Sequence, residues 1–260
     1  MTGPDTTELL RIDGLTKQFV KDDMGVVALR DFSLTVERGS FVTVLGRSGC
    51  GKSTLLNLVA GLVPPSSGTI AYNGRNVTGP TTEIGYLTQS DTLMPWRDVR
   101  RNIEMPMEIA GVPARKRAER SRELIATVGL DGFERHYPRE LSGGMRRRAT
   151  LARMLSADPE TLLLDEPFGA LDAQLRKEMQ TELLRLWQGS GQTVVFVTHD
   201  IEEALLLGDR VVVLGRLGRI VLDKPIELAR PRDADVLRVD PAFVALHGEL
   251  NEALKEGAKT

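Results

Sequence analysis

Apolar and polar positions alternate through Leu10–Thr16 and again through Val26–Val36, both rich in β-branched residues. That period predicts two strands joined by a turn at Asp22-Asp23-Met24-Gly25. Phe41–Leu45 (FVTVL) is instead a short continuous run, as expected of a strand covered on both faces. Helical spacing follows, with Leu55, Leu56 and Val59 on one stripe of Lys52–Ala60. After a turn at Pro64–Gly68, strand patterns return at Ile70–Tyr72 and Ile84–Leu87. From about Thr92 to Leu155 helix formers dominate, including PARKRAERSRELIATVGL, whose Pro113 suits a first helical turn. Strands and helices then alternate: Thr161–Leu164, a helix over Ala173–Gln188, Thr193–Val197, a short helix from Ile201, and Arg210–Leu214. That alternation is the signature of a parallel α/β sheet. Arg219–Leu222 pairs back as a hairpin after Gly215–Gly218, and a last helix opens at Asp240-Pro241 with Phe243, Leu246 and Leu250 on one stripe. The reading is an α/β core with an inserted helical subdomain at about 92–155.

At 260 residues the chain is long enough for a full core, and 41% hydrophobic with 27% charged residues is ordinary for a globular protein. A net charge of −2 provides no bulk attraction to nucleic acid, and the basic run Arg115–Arg122 is interleaved with acids and lacks aromatics. No nucleic-acid partner is expected. One cysteine, Cys50, excludes an internal disulfide and fits a reducing compartment. The start MTGPDTTELLRIDG has neither a basic head nor an apolar stretch, so no signal peptide is expected there. No apolar run reaches the roughly 18 residues needed to span a bilayer, and any membrane role is expected to come through a partner.

Candidate chemistry begins where FVTVL ends. Gly46-Arg47-Ser48-Gly49-Cys50-Gly51-Lys52-Ser53 sits between a strand and a helix, the context a phosphate loop requires. Its amides would cradle phosphate, Lys52 would bridge the β- and γ-phosphates, and Ser53 would ligate Mg²⁺. Cys50 does no chemistry in this reading, although its alkylation would block the loop. Leu162-Leu-Leu-Asp165-Glu166-Pro167 delivers two carboxylates at the C-terminal end of a buried strand. Asp165 fits Mg²⁺ coordination and Glu166 a general base that orients water; the bland alternative is a turn cap. His199, the only one of three histidines at a strand end, reads as a γ-phosphate donor or as a structural residue. His136 and His247 read as structural. Gln89 reads as a ligand of Mg²⁺ or water, or as a loop cap. Phe19, one of seven phenylalanines, is either an adenine-stacking ring or a strand-edge core residue. The helix after Ser142 poses its own question, because Gly143 and Gly144 open it although glycine costs about 1 kcal/mol in a helix. Bare backbone at a helix start suits an anion, so the chain holds two phosphate sites.

Taken in order, GRSGCGKST, YLTQ, LSGGM, LLLDEP, GALD and VTHD resemble the motifs of ATP-binding cassette ATPases across about residues 8–225. The resemblance implies a P-loop NTPase (RecA-like) core with an antiparallel β subdomain and an inserted α-helical subdomain. It implies a domain over 8–225, then a short C-terminal extension, 226–260, with one amphipathic helix. Two cassettes in this family pack head to tail, and each ATP is sandwiched between one copy's P-loop and the other's LSGG helix. Gly143 and Gly144 would then let that helix approach a nucleotide held by the partner. By resemblance Lys52, Ser53 and Thr54 contact phosphate and Mg²⁺, Asp165 holds Mg²⁺, and Glu166 is the catalytic base. Gln89 matches the Q-loop glutamine, His199 the switch histidine, and Ala170-Leu171-Asp172 the D-loop that touches the opposing site. Phe19 stands where tyrosine is more frequent and Arg147 where glutamine is.

TQSDTLMPWRDVRRNI, LSGGMRRRA and DEPFGALDAQLRKEMQTELLRLW are similar to the ATPases of nitrate, sulfonate and taurine importers. This implies an ATP-hydrolysing homodimer on the cytoplasmic face of the membrane. It would sit under integral-membrane permease subunits, with an extracytoplasmic substrate-binding protein acting indirectly. The permease would read the dimer through the groove near Gln89, Leu93, Met94 and Trp96, residues that also read as subdomain core. The rival reading is a soluble cassette of the iron–sulfur assembly type. A DNA-repair cassette needs a long coiled coil, and Thr92–Glu140 has no sustained heptads.

Overall fold

The computed structural model describes residues 8–21, 24–90, 92–169 and 171–259. Asp22, Asp23 and Ala170, on which an expected turn and part of the D-loop fall, lie outside the described residues. In chain order the elements are β1 (Glu8–Lys21), β2 (Met24–Glu37), β3 (Phe41–Gly46), α1 (Lys52–Val59), β4 (Ser67–Tyr72), β5 (Arg75–Asn76) and β6 (Ile84–Leu87). Next come α2 (Val99–Ile109), α3 (Ala114–Thr127), α4 (Gly143–Leu155), β7 (Thr161–Asp165) and α5 (Ala173–Trp187). The chain ends with β8 (Thr193–Thr198), α6 (Ile201–Leu207), β9 (Arg210–Leu214), β10 (Ile220–Pro225), α7 (Ala234–Leu237) and α8 (Pro241–Lys259). Two compact units form: one from the residues up to Thr81 together with those from Gly191 onward, the other from Thr82–Ser190.

The first unit holds two sheets. One is antiparallel, in the order β2-β1-β4-β5. β1 and β2 reach 14 residues each, beyond the alternating stretches of the sequence, because pairing continues outward through Gln18↔Val27, Phe19↔Val26 and Val20↔Gly25. Phe19, Val20 and Val26 are exposed, so no burial period marks this extension. In the other sheet β3 runs parallel to β8 and β9, and β10 closes back antiparallel on β9. β3 and β8 are buried at every position, which accounts for their continuous apolar runs. Phe243 and Leu250 of α8 are buried and Leu246 half-buried, the stripe expected of that helix.

The second unit pairs β6 with β7 in parallel and carries α2–α5. Of these, α2, α4 and α5 start on side-chain caps: Asp98 accepts from the Arg101 N–H at 2.7 Å, Ser142 from Met145 at 3.2 Å and Asp172 from Leu175 at 2.9 Å. α3 presents ion pairs to solvent, Arg115 with Glu119 and Arg120 with Glu123. Among the described residues no helix is long and apolar enough to cross a membrane.

Candidate functional site

Each unit carries part of the candidate chemistry at the C-terminal ends of parallel strands. In the first unit β3 ends at Gly46 and α1 begins at Lys52, so residues 46–51 form the connecting loop. Gly51 caps α1 with φ at 110°, and a Cβ there would stand 2.7 Å from both the Ala28 carbonyl oxygen and Leu29 Cδ2 of β2. Only glycine fits that backbone and that space. No side chain caps α1, so its first amides face outward for an anion. The buried Lys52 ammonium donates to the carbonyls of Gly46 at 2.7 Å and Arg47 at 3.1 Å, which pins the loop. Arg47, Ser48, Gly49 and Ser53 are exposed and Thr54 is half-buried. Amides, an ammonium and hydroxyls thus converge on one helix start, the donor set that a polyphosphate needs. Cys50 is only 6% exposed, so its alkylation requires the loop to open first.

The β3–β8 register sets Leu45 beside Thr198, so His199 leaves the sheet at the same edge as the loop. The Thr198 hydroxyl donates to the buried Glu203 carboxylate and accepts the Asp200 N–H at 3.0 Å. Asp200 in turn caps α6 by accepting the Glu203 N–H at 3.1 Å. The backbone is held on both sides of His199, whose side chain is exposed. Phe19, 44% exposed, faces Val26 across the β1–β2 ladder, with the Lys17 ammonium 5.0 Å from its ring centroid. Since Gly51 packs on Ala28, ring and loop are both anchored to the same stretch of β2.

In the second unit Leu87 pairs with Leu164, so Gln89 and the Asp165-Glu166 pair leave one strand edge together. Gln89 is exposed, Asp165 is buried at 4% exposure and Glu166 is half-buried. Glu166 has a φ of 43° without being glycine, and such strain costs about 1–3 kcal/mol and persists only where neighbours enforce it. The Gly169 N–H bonds its carbonyl at 3.2 Å. Burial, and after it the charge of Asp165, push the Tyr86 phenol well above its ordinary range.

The two glycines that open α4 have different reasons. A Cβ on Gly143 would meet only the Arg146 guanidinium at 3.7 Å, whereas one on Gly144 would lie 2.1 Å from Leu175 Cδ2 of α5. Gly144 is therefore demanded by packing inside its own unit, and Gly143 by no contact among the described residues. Ser142 is exposed; its hydroxyl accepts one bond as cap and keeps its proton to donate. Asp172 is exposed and caps α5. His136 and His247 lie against Phe133 and Phe243, with centroids 4.9 and 6.4 Å apart, away from strand ends. Sequence reasoning missed Glu203 and gave no account of Arg147, which is buried; the sole signal was a cation standing where glutamine is frequent.

The chain matches the ABC transporter family over residues 29–169. It is 48% identical over 225 residues, 86% of this chain and 84% of the other, to "Uncharacterized ABC transporter ATP-binding protein MJ0412" of Methanocaldococcus jannaschii. It is 44% identical over 227 residues, 85% of this chain and 89% of the other, to the taurine import ATP-binding protein TauB of Escherichia coli K12. Among solved structures, the dimeric post-hydrolysis state of the ATP-binding cassette MJ0796 bound to ADP and Pi superposes with a TM-score of 0.77 at 28% identity. It covers 85% of this chain and 100% of that one.

Proposed function

The chain belongs to the ABC transporter family, with the P-loop NTPase fold of its ATP-binding cassettes; from that premise we propose that it is the ATP-hydrolysing subunit of an importer for a small taurine-, sulfonate- or nitrate-type solute. The observation that carries the proposal is 44% identity to a taurine import ATP-binding protein across nearly all of both chains. That likeness favours transport over the soluble assembly reading.

In this proposal two copies pack head to tail, and each ATP joins the phosphate loop of one to the α4 start of the other. Phe19 stacks on adenine, exchanging its contact with Lys17 for a base. Lys52 leaves the Gly46 and Arg47 carbonyls for the β- and γ-phosphates, and the amides of residues 46–54 complete the cradle. Ser53, Gln89 and Asp165 would hold Mg²⁺, which neutralises charge on the transferring phosphoryl group. Glu166 takes a proton from the attacking water, and His199 donates toward the γ-phosphate. Ser142 and Gly143 of the second copy donate to the same phosphate, and Asp172 touches the opposing site. Hydrolysis removes their acceptor, so the dimer opens.

The permease docks on the second unit, near Gln89, Leu93, Met94 and Trp96. Leu93 belongs to the core, but Trp96 is 71% and Ile109 79% exposed. A groove of about 870 Å³, lined among others by Tyr86, Met105, Pro106 and Met154, offers an apolar seat in the same unit. The protein then lies at the cytoplasmic face of the membrane, and an extracytoplasmic binding protein delivers the solute. Purification from native cells in mild detergent, with mass spectrometry of what accompanies the chain, tests this. A polytopic permease is expected. Soluble partners alone, with none of the chain in the membrane fraction, would sink the transport role and leave the ATPase chemistry standing.

A further inference from the structure

Arg147 lies on α4, five residues beyond Ser142, and its guanidinium is buried at 6% exposure. Nε donates to the Pro167 carbonyl at 2.6 Å and Nη1 to the Thr88 carbonyl at 2.7 Å. Thr88 immediately precedes Gln89, and Pro167 immediately follows Glu166. One planar group therefore grips the backbone next to both. Farther along the same helix Arg153 donates to the Thr92 carbonyl at 2.7 Å and also to the Thr92 hydroxyl. The segment carrying Gln89 is tied to α4 before and after the glutamine. All these residues belong to the second unit.

We propose that Arg147 is a positioning residue for hydrolysis: it locks Gln89 and Glu166, through their neighbouring carbonyls, to the helix that opens with Ser142. Glu166, which is not glycine, sits at a left-handed φ of 43°, and such a conformation survives only where surrounding bonds over-determine it. The bond to Pro167 supplies that constraint one residue away. A guanidinium suits the task because it presents N–H groups in fixed, divergent directions. Lysine offers a point charge, and glutamine has the donors on a shorter arm. A departure from the residue frequent at this position is thereby turned into a brace between the signature helix and the two groups that handle the attacking water.

The inference rests on the hydrolytic reading above, so the test first secures that reading. Glu166→Gln alone must slow ATP turnover; a wild-type rate there would refute the base assignment before Arg147 is altered. Arg147→Lys is then expected to lower kcat by about 10- to 100-fold, the loss typical of a catalytic group misplaced by around an ångström. The KM for ATP should stay within about twofold, since the phosphate loop lies in the other unit. Arg147→Gln should fold if the lysine variant does not, and should lose less. The decisive readout is single-turnover hydrolysis in the Glu166→Gln background, where Arg147→Lys should cost clearly less than in the wild type because one of the two groups it positions is already gone. An unchanged kcat in both single variants, or a loss that multiplies in full with Glu166→Gln, overturns the proposal.

Discussion

Alanine at Gly143 and at Gly144 should have opposite effects on stability but both impair turnover, and the contrast separates packing from ligand approach. At Gly143 a Cβ meets nothing nearer than 3.7 Å. Replacing helical glycine by alanine is worth up to about 1 kcal/mol, or about 2–4 °C in melting temperature for a chain of this size. Gly143→Ala should therefore melt at or slightly above wild type. At Gly144 the new Cβ would stand 2.1 Å from Leu175 Cδ2, and Leu175 or the helix must shift. Overpacking of this kind costs about 1–3 kcal/mol, so Gly144→Ala should melt below Gly143→Ala by about 2–12 °C. Leu175→Ala should recover part of that loss, because the two changes share one contact. Thermal denaturation without nucleotide gives the stability half. Steady-state ATPase at a concentration that supports dimers gives the other half. If the bare backbone at Gly143 serves a nucleotide on a second copy, Gly143→Ala falls well below wild-type turnover despite its undiminished stability. Full activity in Gly143→Ala would show that no ligand approaches that backbone, and the two-site sandwich would lose its physical basis in this chain.

Glu166→Gln removes the proposed base and should slow turnover by about 10²–10⁴-fold, with ATP-bound dimer accumulating in size-exclusion chromatography. Ser142→Arg should abolish hydrolysis while equilibrium binding of ATP to the monomer persists; lost monomer binding would contradict the sandwich. Tyr86 has a folded-state pKa raised above its ordinary value near 10, so the fold favours the neutral phenol. Its contribution is complete below about pH 10 and is lost as pH rises beyond, with a limiting slope of about 1.4 kcal/mol per pH unit. Denaturant titrations between pH 9 and 11.5 should show that alkaline decline partly flattened in Tyr86→Phe; parallel declines would refute it. The buried Arg232 guanidinium donates to the carbonyls of Leu205, Gly208, Ile226 and Leu228. Arg232→Met strands those acceptors, at the end of α6 and just after β10, and should cost about 3 kcal/mol or more, read as a fall of at least about 6 °C in melting temperature.

What the chain revealed in advance follows from which forces act locally. β3, β7 and β8 were legible because strands buried on both faces must be apolar throughout, and each ends at a candidate group: Gly46, Asp165 and Thr198-His199. The phosphate loop was legible because its glycines answer to local backbone geometry, as at Gly51. The outer halves of β1 and β2 were not, since there the ladder hydrogen-bonds under exposed Phe19, Val20 and Val26, and no burial imposes a period. β5 is two residues pairing Asn76 with Ala71 and Arg75 with Tyr72, too short for any pattern. The reasons for Gly143 and Gly144 looked alike in the sequence and differ in space, because Leu175 lies more than thirty positions away along the chain. Arg147 was opaque for the same cause. A cation next to two other arginines has no legible task until backbone carbonyls that follow two strand ends are seen to converge on it.

The donors proposed for the nucleotide differ in what they already bond, and this bears on how binding gains its free energy. Lys52 is bonded to two carbonyls of its own loop and Ser142 accepts a bond from its own helix. A phosphate would thus exchange hydrogen bonds at Lys52 instead of adding them, replacing neutral carbonyl acceptors by anionic oxygens. Charge-assisted bonds are roughly twice as strong as neutral ones, so the gain lies in the charge and in the uncapped start of α1. Little ordering cost opposes it, because the same carbonyls that compete with phosphate hold Lys52 and the loop in place beforehand. Ser142 differs in that its proton remains available while it caps α4, so it can donate without giving up its own helix. Binding at the phosphate loop can therefore be tight within one copy, whereas engagement of α4 adds donors that only an approaching anion can use. Closure of two copies should consequently depend on the γ-phosphate far more steeply than nucleotide binding itself does.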